Sequence, residues 1–135
     1  MENILIVLLG PTGVGKTDLA VELALHYGTE IISCDSRQFY REMKIGTAVP
    51  DQAQLEKVHH HFIGFLSVRD YYSSSMYGRD VLSLLPRLFE KNRMAIMTGG
   101  SGMYIDAVCE GIDDIPDVDP EVRERYNHIY ETEGL

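Results

Sequence analysis

The sequence predicts an α/β fold in which a parallel sheet is flanked by helices. Three observations carry that expectation. Two apolar runs, Ile4 to Leu9 and Met94 to Thr98, lack polar alternation, as strands covered on both faces do. Segments with apolar residues at helical spacing lie between the strand candidates, so strand and helix alternate along the chain. Glycine-rich turns, Gly10 to Gly15 and Gly99 to Gly102, directly follow the first and third strand candidates.

The first strand, Ile4 to Leu9, ends at Gly10. A helix follows from Lys16 to Tyr27, with Leu19, Leu23 and Tyr27 on one stripe and Gly28 placed as its C-terminal cap. Glu30 to Cys34 reads as a short second strand ending at Asp35. Pro50-Asp51 opens a short polar helix to about Val58. Ser73 to Ser75 can cap a longer helix carrying Tyr77, Val81, Leu84, Leu85 and Leu88 on one stripe, which Pro86 should interrupt and kink. After the third strand, Gly99 to Gly102 lead into a helix from Met103 to Glu110, closed by Gly111. Asp119-Pro120-Glu121 then combines a cap, a proline at the first helical position and an acid in the first turn. The stripe of Val122, Tyr126, Ile129 and Tyr130 has no later segment to cover it, and three strands leave an exposed edge. The sequence therefore reads as an N-terminal piece of a longer protein. Residues 1–112 would form part of a core, and residues 113–135 a linker with the first helix of a further domain. Such a piece alone is expected to be poorly stable or to self-associate.

At 135 residues the chain is long enough to bury a core without staples. Its net charge of −9 argues, at face value, against a nucleic-acid partner. The distribution removes that argument. Nine acidic and two basic residues fall between Glu110 and Leu135, which leaves only −2 on residues 1–109. The longest apolar run cannot span a bilayer, and Met1-Glu2-Asn3 lacks the basic lead of a secretory signal. A cytoplasmic protein without a membrane partner is expected. Cys34 and Cys109 show no metal or disulfide spacing and read as two buried, reduced thiols.

Gly10-Pro11-Thr12-Gly13-Val14-Gly15-Lys16-Thr17 fits GxxxxGK[ST] at every fixed position, between a strand and a helix. Glycines there let successive backbone N–H groups turn inward, the helix start adds positive potential, and Lys16 supplies a point charge. Thr17 can place its hydroxyl on a magnesium ion. The loop reads as a diphosphate or nucleotide site, ATP included, within a P-loop NTPase-like sheet. It says nothing of what the diphosphate is esterified to.

Asp35-Ser36-Arg37-Gln38 follows the second strand at the carboxyl edge, where open α/β sheets hold ligands. Asp35 has two readings, a ligand for magnesium or a general base for an acceptor attacking at the diphosphate. His59 and His61 would share a face of an extended segment, but no carboxylate or cysteine stands at ligand spacing nearby in the sequence. Polar packing or RNA contact is expected of the His59-His60-His61 run in preference to a metal. Tyr71-Tyr72 could stack on bases, although core or surface filling is the stronger reading.

Taken together, these segments resemble the tRNA dimethylallyltransferases, also called tRNA isopentenyltransferases. The likeness rests on the phosphate loop, Asp35 to Tyr40, Ile45 to Pro50, the histidines, Gly99 to Tyr104 and Asp119 to Arg123, in that order along nearly the whole chain. It implies a P-loop core with an inserted helical domain that begins in residues 113–135. It also implies transfer of a dimethylallyl group from its diphosphate to the exocyclic amine of an adenosine beside the anticodon. Lys16 and Thr17 would act with Asp35 in catalysis, the latter as base. Asp35, Ser36, Arg37, Gln38, Ser101 and Arg123 would contact tRNA, with Mg2+ as cofactor and a monomer as the full-length state. Ser101 stands where the family more often has Thr, and Met103 where it has Leu. A P-loop small-molecule kinase, or a piece that binds nucleotide or diphosphate without turnover, remains the competing reading. The 135 residues alone are expected to be inactive.

Overall fold

In the computed structural model, which describes residues 1–113, 116 and 118–134, four parallel strands form one sheet in the order β1-β4-β2-β3. The strands are β1 (Ile4–Leu9), β2 (Ile31–Ser33), β3 (His60–His61) and β4 (Met94–Gly99). The helices are α1 (Lys16–Tyr27), α2 (Gln52–Lys57), α3 (Ser74–Lys91), α4 (Gly102–Cys109) and α5 (Pro120–Glu133). The expected linker falls partly on residues 114, 115 and 117, which lie outside the described residues. Among the described residues no helix is long and apolar enough to cross a membrane.

β4 explains why its sequence lacks alternation. It lies between β1 and β2, and Ala95, Ile96 and Met97 are fully buried. One apolar cluster, with Ala20, Val21, Ala24, Ile31 and Ile96, covers the α1 face; a second, with Met97, Tyr77, Val81 and Val108, covers the α3–α4 face. Each fully buried Ile or Phe contributes about 1.5–3 kcal/mol over leaving it in water. Phe39 is central to the second cluster, its ring 5.2–6.5 Å from those of Phe62, Phe65, Tyr72, Tyr77 and Tyr104. Tyr72 is thus core filling, while Tyr71 stays exposed.

Four expectations are corrected. The sheet has a fourth strand, β3, whose two histidines give no strand signal by composition. α1 has the expected bounds, but it buries Ala20, Val21 and Ala24 rather than the Leu19–Leu23–Tyr27 stripe; Leu19 and Tyr27 are exposed. Small side chains let the helix pack closely on Ile31 and Ile96, with Leu23 packed against this cluster while still partly exposed. Pro86 lies on the exposed side of α3, and the helix runs through it to Lys91, with Leu85 and Leu88 both buried. Cys34 is buried, whereas Cys109, at the last position of α4, is exposed.

Helix ends are set as the sequence suggests. Ser73 Oγ accepts from the Met76 N–H at 3.2 Å, and Asp51 with Gln54 makes a reciprocal capping box at α2. Asp119 caps α5, none of whose residues is buried.

Candidate functional site

The carboxyl ends of β1, β2 and β4 converge on one edge of the sheet, and the loops leaving them build two adjoining clefts. The first begins with the phosphate loop. Gly15 is the N-cap of α1 at φ 94°, and Gly13 stands at φ 84°, left-handed conformations that a Cβ would strain. Lys16 folds back over the loop, its ammonium donating to the Pro11 carbonyl at 2.5 Å. This cleft, about 220 Å³, is also lined by Thr12, Thr17, Asp18, Ser33, Asp35, Gln38, Ala48, Pro50, His60 and Thr98, among others.

The second cleft, about 390 Å³, is lined by Thr12, Asp35, Ser36, Arg37, Gly46, Thr47, Gly100 and Ser101. Thr12 and Asp35 border both. Asp35 Oδ1 accepts from the Arg37 N–H at 3.1 Å, and Oδ2 has no partner among the described residues. Ser101 Oγ accepts from the Ser36 N–H at 3.0 Å, which joins the loop after β2 to the loop after β4. That junction requires close backbone approach: a Cβ on Gly99 would lie 1.9 Å from the Cys34 carbonyl oxygen. Burial holds the Cys34 thiol up at about 11, so it stays a protonated packing group beside Asp35.

Gln38 is fully engaged on its donor side. Its Nε2 donates at 3.0 Å to the carbonyls of Thr47 and Ala48, and its Oε1 accepts from Ser33 Oγ at 3.2 Å. Ala48 has φ 49°, an uncommon conformation for a residue with a Cβ, and the Gln38 amide holds it at the mouth of the first cleft.

A family profile described as IPP transferase matches residues 38–135. The chain belongs to that family. Relatives extend the likeness through the phosphate loop. A "tRNA dimethylallyltransferase 1" of Porphyromonas gingivalis is 59% identical over 134 residues, 99% of this chain and 45% of that protein. One of Bacteroides fragilis is 56% identical over 131 residues, 97% of this chain and 44% of that protein. Among solved structures, the full-length tRNA isopentenylpyrophosphate transferase of Bacillus halodurans superposes with a TM-score of 0.79 at 30% identity, over 98% of this chain and 44% of its own. A eukaryotic dimethylallyltransferase acting on tRNA shares the fold, with a TM-score of 0.77 at 20% identity, over 98% of this chain and 36% of its own. The chain thus spans less than half the length of these relatives.

In this IPP transferase chain the predicted residues Gly10 to Thr17, Asp35 to Gln38 and Ser101 come together at one sheet edge. Arg123 does not join them. It lies on α5 beside Tyr71, Val118, Pro120, Val122 and Tyr126, in a groove that shares no residue with either cleft.

The sequence alone assigned no site role to Asp18, Ser33 or Thr98, and it placed His60, with its neighbours, in polar packing or RNA contact rather than in this cleft. Ser33 had a signal, since it lies two residues before Asp35 on an extended segment. Asp18 is held by Gln54, whose Nε2 donates to its Oδ1 at 2.6 Å. His60 Nδ1 donates to the Val58 carbonyl at 2.8 Å, and burial lowers its pKa, so Nε2 carries a lone pair. That Nε2 and the Thr98 hydroxyl are buried without partners among the described residues, and both residues line the first cleft.

The flanking histidines behave otherwise, and the sequence expectation that no carboxylate stands near them is corrected. Glu30 arrives from the start of β2, and its Oε2 lies 2.5 Å from His61 Nε2. Burial lowers the His61 pKa against the pull of Glu30. Burial alone would raise the Glu30 carboxyl, but His61, Lys91 and His59 together hold it below the usual range. A neutral imidazole donating to a carboxylate satisfies both directions.

Proposed function

We propose that the protein transfers a dimethylallyl group from dimethylallyl diphosphate to the exocyclic amine of an adenosine beside a tRNA anticodon. The observation that carries this reading is the position of Asp35 on the border of two clefts, with the phosphate loop on one side and Ser36, Arg37 and Ser101 on the other. The likeness to tRNA dimethylallyltransferases supports it.

The loop amides and Lys16 would bind the diphosphate and stabilise its charge as it leaves. The amine nitrogen forms a bond to the first carbon of the dimethylallyl group, the carbon–oxygen bond to diphosphate breaks, and the amine proton passes to Asp35 Oδ2. An exocyclic amine is a weak nucleophile because its lone pair is delocalised into the ring, so proton removal during attack is worth roughly 10²–10⁴-fold. The adenine has to leave its stack to reach the cleft. Ser36, Arg37 and Ser101 would hold it or its neighbours, and Gln38 would shape that surface through the Thr47–Ala48 backbone it already holds.

The Thr17 hydroxyl with the carboxylates of Asp35 and Asp18 makes an all-oxygen donor set in the first cleft, which suits Mg2+. When bound there, the ion supplies charge neutralisation for the diphosphate. Asp35 as base and Asp35 as magnesium ligand are separated by experiment below. The reading also assigns residues 1–112 to the core and α5 to the opening of a helical insertion, in keeping with its lack of buried residues. Arg123 would then meet tRNA away from the chemistry, in a cytoplasmic, monomeric enzyme.

The deciding assay gives the full-length protein dimethylallyl diphosphate labelled in its carbon chain and undermodified tRNA. Label in the tRNA adenine with release of diphosphate is expected. Transfer of phosphate from ATP to a small acceptor, with no carbon label in tRNA, would overturn the reading in favour of a kinase.

A further inference from the structure

The three consecutive histidines face two ways. Along an extended segment side chains alternate, so His60 points toward α1 and the phosphate cleft while His59 and His61 point to the face that α3 covers. β3 runs parallel to β2, pairing Ile31 with His60 and Ile32 with His61. Glu30 precedes Ile31 and therefore shares the His61 face. The register brings the Glu30 carboxylate and one ring nitrogen from each of His59 and His61 within 4.8 Å of one another, with the two imidazole rings 4.3 Å apart.

We propose that Glu30, His59 and His61 form a site for one divalent transition-metal ion, zinc above others, on the sheet face opposite the phosphate loop. Two imidazoles and a carboxylate are a zinc donor set, and three protein ligands leave a fourth position for water. Metal–ligand bonds of about 2.0–2.2 Å at a tetrahedral angle place ligand atoms about 3.4 Å apart. The observed spacings, from 2.5 Å between His61 and Glu30 to at most 4.8 Å, bracket that value. The ion would take the place of the hydrogen between Nε2 and Oε2, that proton shifting to His61 Nδ1. His59 is exposed and has room to rotate inward. Lys91, 3.7 Å from Glu30 Oε1, is the competing cation, but its side chain is 76% exposed and can swing into water. Glu30 and Asp35 stand at opposite ends of β2, roughly 15 Å apart along an extended chain, so this site is separate from the magnesium donors. An ion here would tie the two-residue edge strand β3 to β2.

The test uses full-length protein freed of any affinity tag and stripped with a chelator. Zinc is titrated in competition with a chromophoric chelator, and Co2+ replaces it for spectroscopy. One equivalent of zinc per site and the visible bands of tetrahedral Co2+ are expected. His59→Ala, at an exposed position that tolerates truncation, and Glu30→Gln, which keeps the shape, should each weaken binding by at least roughly 10–100-fold. A His26→Ala/His128→Ala double variant should leave it unchanged. No stoichiometric uptake, uptake that survives His59→Ala within twofold, or uptake lost in the His26/His128 variant would each overturn the proposal.

Discussion

Lys16 and Asp35 both line the first cleft, and if the proposed reading holds their substitutions should separate binding from turnover. Lys16 supplies the charge over the loop, so Lys16→Ala should weaken dimethylallyl diphosphate binding by about 1.5–3 kcal/mol, a factor of roughly 10–150 in Kd. Calorimetry on the full-length protein reads this directly, and an unchanged Kd would remove Lys16 from the diphosphate site. Asp35→Asn keeps the Arg37 contact possible through its amide oxygen but cannot take a proton. Single-turnover alkylation of saturating tRNA should fall by roughly 10²–10⁴-fold while diphosphate binding barely changes. Run across a magnesium titration, the same variant separates its two readings. If added magnesium restores the rate, Asp35 holds the ion and the base lies elsewhere; if the rate stays flat, Asp35 takes the proton. These residues were legible in the sequence because the loop is a contiguous motif and Asp35 directly ends an apolar strand. His60 and Thr98 were not, because their place in the cleft comes from the pairing of β2 with β3 and β4, which no local spacing encodes.

Where elements meet, two contacts set the geometry of the site. Gly99 lets the end of β4 touch the backbone after β2, and nothing larger fits: a Cβ would lie 1.9 Å from the Cys34 oxygen. Because the obstacle is backbone, Gly99→Ala should cost at least the roughly 1–3 kcal/mol of ordinary overpacking. It should also loosen the Ser101–Ser36 bridge, lowering the urea midpoint and tRNA turnover together. Tyr77 makes the other contact, donating from its buried hydroxyl to the Ser33 carbonyl at 2.8 Å across the α3 face. Tyr77→Phe keeps the ring stack on Phe39 but removes that donor, and about 1–3 kcal/mol of stability should go with it. A variant as stable as the parent would show that water or another donor satisfies Ser33. Strand and helix order was readable from periodicity, yet the buried face of α1 was not. Large apolar residues dominate a sequence stripe, whereas the contact was won by Ala20 and Ala24, whose small size brings helix and sheet together. β3 was missed for a related reason, since two histidines form a strand only because β2 offers them an edge.

Considered whole, the 135-residue chain exposes two surfaces that folded domains ordinarily cover. β1 is an edge strand, paired among the described residues with β4 alone, and its Ile4 and Leu9 are 45% and 61% exposed. No residue of α5 is fully buried, and Val122, Tyr126 and Tyr130 are 41–61% exposed, beside the groove that Tyr71 and Arg123 line. We predict that this chain, expressed by itself, self-associates at tens of micromolar, and light scattering after gel filtration checks it. A monodisperse monomer with one sharp melting transition would contradict the prediction. Salt and substitution identify the surface that associates. Most of the net charge of −9 lies from Glu110 onward, in α5 and the sequence just before it, so copies meeting through that helix repel one another and should associate more strongly as salt screens the charge. Tyr126→Lys with Tyr130→Glu should then return the chain toward monomer. Pairing through β1 involves backbone hydrogen bonds on a strand without charged side chains and should respond little to salt. It should yield instead to Ile4→Lys, a charge placed on the edge in the way natural sheets block unwanted strands.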